Sequence, residues 1–124
     1  MSYIVITLAG LMGASGVILA AVAAHVAPGT GLESVAYMLL FHAAAILAGT
    51  SILHQGLLWR PLATVALAAW VLGSILFCGD IALRALAGHR LFPMAAPSGG
   101  ALLIGGWGLL AVAAVFAGMR RGDG

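Results

Sequence analysis

LATVALAAWVLGSILFCGDIALRAL, residues 62–86, is the run from which the fold follows. It exceeds the roughly 20 residues a helix needs to cross a hydrocarbon core of ~30 Å, yet it carries a carboxylate and a guanidinium, Asp80 and Arg84. Each such charge costs roughly 3 kcal/mol at the centre of a membrane helix, so it faces a bundle interior, finds a partner, or marks a pathway. On a helix, Ala69, Gly73, Leu76, Asp80 and Arg84 fall on one stripe, with small residues leading up to the charges. The stripe is therefore expected to face protein. Asp80 and Arg84 are also spaced i, i+4 with the acid first, the favourable order for an ion pair.

Outward from this run, three more apolar stretches of similar length alternate with short polar segments. Residues 3–25 form the first, ending at His25 before Pro28 and Gly29, with Gly16, Ala20 and Ala24 at steps of four that suit close helix packing. Ala21-Val22-Ala23 has the small residues of a signal cleavage site. No Lys or Arg precedes the apolar run, so it reads as a retained helix. Thr30 and Glu33 make a T-x-x-E capping box, which predicts a second helix over residues 31–54. On it Met38, His42, Ala45, Gly49 and Leu53 share a face, whereas His54 lies about 120° round at the opposite interface. His42 and His54 therefore cannot share a ligand.

Trp59, Arg60 and Pro61 read as an interfacial turn into the third helix, residues 62–87. Gly88 to Pro97 carries His89, Arg90, Phe92 and two prolines, which predict a helix stop and an interfacial loop. The fourth helix is expected over residues 98–119, with Gly99, Gly100, Gly105, Gly106 and Gly108 grouped about Trp107. So many glycines predict a helix central to the packing, Gly73, Gly99, Gly100 and Gly106 with Gly16 and Ala20 being the contact positions. A phosphate-binding loop is excluded, because neither a Walker pattern nor a strand accompanies these glycines.

Composition agrees with lipid as the solvent. Of the 124 residues 64% are hydrophobic and 6% charged, with a mean hydropathy of +1.19, against about 25% charged in soluble domains. The expectation is an all-α integral membrane protein, one domain over residues 1–124, with four transmembrane helices in a compact up-down bundle with short loops. A net charge of +2 gives no reason to expect nucleic acid. It bears on topology instead, since Arg60, Arg120 and Arg121 fall on one side and Arg90 with Arg84 on the other, which places both termini in the cytoplasm. The lone Cys78 rules out an internal disulfide or a Cys-x-x-Cys site.

His25, His42, Asp80 and Arg84 all lie toward the same side of the membrane. Counting inward from the helix ends puts Asp80 about 10 Å deep, near the level of His42, so the four form a candidate polar cluster with Glu33 above it. The cluster could be a structural network that offsets the burial of its members, or a proton, ion or small-solute pathway lined by His42, Asp80 and Arg84. Metal or haem binding through His25 and His42 is a further alternative that no spacing motif supports, so neither a metal site nor a cofactor is assigned. No residue is assigned a catalytic role. The leading expectation is a non-enzymatic accessory or assembly subunit, or a small homo-oligomer, whose partners are the bilayer and other membrane subunits or itself.

Several segments resemble a known family. Leu19-Ala-Ala-Val-Ala-Ala-His25 resembles its Gly-Ala-Phe-Gly-Ala-His segment, and Tyr37-Met-Leu-Leu-Phe-His42-Ala-Ala-Ala its Tyr-His-Ala-Leu-Ala stretch. Trp70-Val-Leu-Gly-Ser-Ile-Leu-Phe-Cys-Gly-Asp80 is similar to its Gly-hydrophobic-Leu-Phe-Ser-Gly-Ser segment, and Pro97-Ser-Gly-Gly with Gly106-Trp107 to its Pro-x-Gly-Gly and Gly-Trp pattern. This is the YgdD/YwdK type, small four-helix bacterial inner-membrane proteins of unknown function with a small mammalian transmembrane relative. The resemblance implies the four-helix topology, a bacterial inner membrane, and importance for His25 and His42. It implies no activity. Cys78 and Asp80 stand where that family carries serines, so the charged pair belongs to this chain or its subgroup and is expected to serve local packing or a partner rather than a shared mechanism.

Overall fold

A computed structural model describes residues 2–122, all of them helical or in the short connections between helices. The helices are α1 (Ser2–His25), α2 (Leu32–His54), α3 (Arg60–Ala87) and α4 (Ala95–Gly122). All four are long and apolar enough to cross a membrane, and the chain is an all-α, multi-pass four-helix bundle. Apolar side chains cover the outside as well as the core. Ile4, Val17, Phe41, Ile104 and Val115 are all exposed, which only a lipid solvent makes favourable.

The helices pack in chain order, α1 on α2, α2 on α3, and α3 on α4. Ile46, Trp70, Cys78 and Leu103 form the centre of the core, with Ala9 and Met12 reaching in from α1. The inner positions belong to α2 and α3. Apart from Leu103 in the core and Trp107 against His42, the fourth helix is peripheral, contrary to expectation: its glycines bring it very close to α3. A Cβ at Gly99 would lie 2.5 Å from Phe77 N and 2.8 Å from Gly73 O, and one at Gly106 would lie 2.6 Å from Trp70 Cδ1. Gly100, by contrast, has only the Phe77 ring at 3.7 Å, an ordinary contact. Gly16 meets α2 through Leu40 Cγ at 2.8 Å, and Ala20 beside it is half-buried.

The helix ends differ from expectation in four places. Thr30 does not cap α2: its hydroxyl donates to Ala27 O at 2.7 Å, and Gly31 occupies the cap position with φ 84° and no side-chain bond. A left-handed residue is cheap only for glycine, and using Gly31 there turns Thr30 back toward the preceding turn. Glu33 instead accepts from the Tyr37 hydroxyl at 3.1 Å. Both α3 and α4 start earlier than residues 62 and 98, because Pro61 and Pro97 sit in first turns, where a missing N–H leaves no helical bond unmade. At the other end α4 continues through Arg120 and Arg121 to Gly122.

At the end of the bundle that holds Ser2, Trp59 N–H donates to Ala113 O at 2.9 Å. Its ring packs on Phe116 at 5.3 Å, and Arg120 lies over it at 5.9 Å. Ser2 and His54 join α1 to α2 at this end through a 3.2 Å bond. The α2–α3 turn is thereby fixed to α4.

Candidate functional site

The expected cluster of His42, Asp80 and Arg84 divides into two sites at different depths. Ten residues separate Trp70 from Asp80, about 15 Å along α3, and the His42 ring lies 6.2 Å from that of Trp70. His42 is therefore deep and Asp80 shallow. The reason is visible at Cys78, whose Sγ approaches Val35 O at 3.9 Å. The first turn of α2 is already level with Cys78, so helix ends on the two helices do not mark equal depths.

The shallow site is built around Asp80, whose side chain is 2% exposed. Arg84 Nη2 donates to Oδ2 at 3.0 Å, the i, i+4 geometry expected on a helix. Oδ1 accepts the backbone N–H of Leu91 at 2.8 Å. A carboxylate on α3 thus reaches across Gly88, whose φ of 77° ends the helix, and holds the returning loop. In that loop Arg90 Nη1 donates to Pro93 O at 3.3 Å. Arg84 is 40% exposed, so one edge of its guanidinium meets Asp80 while the group itself reaches the surface. The desolvation of Asp80 is offset by a charge-assisted bond and a backbone N–H.

The deep site is neutral. The Trp107 indole Nε1–H donates to His42 Nε2 at 3.3 Å. Indole nitrogen can only donate, so Nε2 must accept and the ring proton is assigned to Nδ1, which donates to Met38 O at 2.9 Å. Both nitrogens are engaged, and the ring's one acceptor lone pair, on Nε2, is taken by the indole and not left for a metal. Aromatic rings enclose the imidazole: Trp107 at 6.2 Å, Phe41 at 6.0 Å and Trp70 at 6.2 Å, with Trp70 and Trp107 only 4.4 Å apart. Beside it on α3, Trp70 Nε1 and Ser74 Oγ are buried without hydrogen-bond partners among the described residues.

His25 belongs to neither site. It is exposed at the end of α1. A Cβ at Gly13 would lie 3.8 Å from Ala43 Cβ, which puts His42 level with Gly13, twelve residues or about 18 Å from His25. The two histidines cannot jointly hold a metal or haem. Among the described residues, no three His, Cys, Asp or Glu side chains gather as a metal-binding group.

Two participants escaped the sequence reading. Trp107 had a usable signal, since an indole N–H at membrane depth needs an acceptor and His42 is the ionisable ring at a similar depth in α2. The Leu91 amide had none, because any non-proline residue there offers the same N–H.

Comparison with known proteins identifies a family. The family described as a protein of unknown function, DUF423, matches residues 19–100, which is more than half of the chain, and the chain belongs to that family. The match includes His25, His42, Asp80 and Arg84 and stops short of Trp107. No curated protein and no solved structure matches the chain.

Proposed function

We propose that this DUF423 member is a non-enzymatic accessory or assembly subunit that acts in the bilayer against other membrane-protein subunits or copies of itself. The commitment of the two buried ionisable side chains of the expected cluster, Asp80 and His42, carries this reading. Both oxygens of Asp80 and both nitrogens of His42 are taken up inside the chain, so none is presented to a reactant. Meanwhile, among the described residues, a Cβ at Gly10, Gly105 or Gly108 would meet no neighbouring side chain or helix within 4 Å, leaving places on α1 and α4 where another helix can approach closely. A pathway through His42, Asp80 and Arg84 is disfavoured, because Leu39 and Leu103, which belong to the apolar core, lie at the depths between the two sites.

The resemblance to the YgdD/YwdK type supports a bacterial inner membrane as the location. Arg60, Arg120 and Arg121 at the end that holds the termini, against Arg84 and Arg90 at the other, support a cytoplasmic position for both termini.

Cross-linking in native membranes, followed by gentle extraction, tests the proposal. Co-purification with a larger membrane complex, or a cross-linked homo-oligomer, is expected. Recovery solely as an uncross-linked, stable monomer contradicts it. In proteoliposomes, ion flux abolished by Asp80→Asn would replace the accessory reading with the pathway.

A further inference from the structure

Beside the Asp80 carboxylate an open trough of about 600 Å³ runs between α3 and α4. Its mouth, at the α3–α4 loop, holds Arg84 and Arg90, and its inner walls are Phe77 and Ile81 on one side and Ala101 and Ile104 on the other. From Ala96 to Ile104 the α4 wall extends eight residues, about 12 Å along the membrane normal. Ile104, at the inner end, is 76% exposed, so the trough opens sideways toward lipid.

We propose that this trough binds an anionic phospholipid, with the headgroup phosphate between Arg84 and Arg90 and an acyl chain along Ile81, Ala101 and Ile104. The charges fit a phosphodiester: two guanidinium groups and one carboxylate leave a net charge of +1 at the mouth, matched by the single negative charge of the lipid. Donors remain for it. Arg84 directs Nη2 to Asp80 and Arg90 directs Nη1 to Pro93 O, while each guanidinium carries five N–H groups in a planar fork suited to phosphate oxygens. Asp80 gives the mouth its shape, since its bond to Leu91 N–H fixes the loop next to Arg90. The apolar depth selects for a lipid over a free anion, because inorganic phosphate would occupy only the mouth and leave the wall as it is. Gly100 lines the same trough, and its missing side chain widens it. This site is independent of whether the chain serves as an accessory subunit.

The test is native mass spectrometry of the purified full chain in mild detergent with equimolar phosphatidylglycerol and phosphatidylcholine. The wild type is expected to retain one phosphatidylglycerol with several-fold preference. Arg90→Gln, in the exposed loop, removes the preference, and Ala101→Trp, on the exposed wall, abolishes retention of either lipid at this site. Circular dichroism confirms that both variants keep their helices. Equal retention of the two lipids by the wild type overturns the proposal, as does a phosphatidylglycerol preference that survives in either variant. So does displacement of the lipid by soluble glycerol phosphate at equal concentration, which would show that the apolar wall contributes nothing.

Discussion

The shallow Asp80 site and the deep His42 site each join two segments through buried polar atoms, but they do so with different chemistry. Near the interface a full carboxylate is retained, held by Arg84 at 3.0 Å and the Leu91 amide at 2.8 Å. About 15 Å further in, the joint between α2 and α4 is a neutral imidazole accepting from an indole at 3.3 Å. Depth accounts for the difference. A charge is tolerated where a second, partly exposed charge and a loop amide are within reach, and where they are not, only neutral hydrogen bonds close the network. The two sites also join different things. Asp80 holds a loop to the helix before it, whereas His42 sets the rotation of α4 against α2.

If charge at the shallow site matters in this way, the costs of breaking the two joints should rank by what is left unpaired. Arg84→Leu leaves the Asp80 carboxylate buried with a single N–H, and unfolding in mixed micelles should show a loss of about 3 kcal/mol, the lower end for a broken buried pair. His42→Phe keeps an aromatic ring but strands the Trp107 indole N–H, so a loss of about 1–2 kcal/mol is expected in the same assay. A larger loss for His42→Phe than for Arg84→Leu would invert the comparison. Asp80→Asn should lose only about 1 kcal/mol, since the amide oxygen still accepts from Leu91 and the half-exposed Arg84 is released toward water. Trp107→Phe removes the donor and leaves only an unused acceptor, so its effect should be the smallest, about 0.6 kcal/mol. In that variant the Trp70 fluorescence should also shift, because its 4.4 Å ring neighbour has changed.

The four helices were readable because lipid imposes a length and an apolarity that few other structures share, and residues 62–86 carry both plainly. The Asp80–Arg84 pair was readable for the same reason that it forms: i, i+4 spacing is a local property of one helix. What crosses between helices was less legible. Counting from helix ends puts His42 at the level of Asp80, and the count fails because Val35 of α2 is already opposite Cys78. Glycine meaning is equally relational. Gly99 and Gly100 are neighbours in sequence, yet a side chain at the first would strike the Phe77 backbone and at the second only touch a ring. The Thr30–Glu33 box failed because Gly31 competes for the cap, a choice that depends on how the chain arrives from α1.

The central claim is that Asp80 serves as a latch for the α3–α4 loop, and the Leu91 amide reports on it directly. Hydrogen exchange at that amide, in the full chain reconstituted into lipid, should be slow in the wild type and in Asp80→Asn, both of which offer an acceptor. In Asp80→Ala it should rise to the rate of neighbouring loop amides, while α3 and α4 stay protected. Slow exchange at Leu91 in Asp80→Ala would contradict the account, because the loop would then be held by something other than the carboxylate.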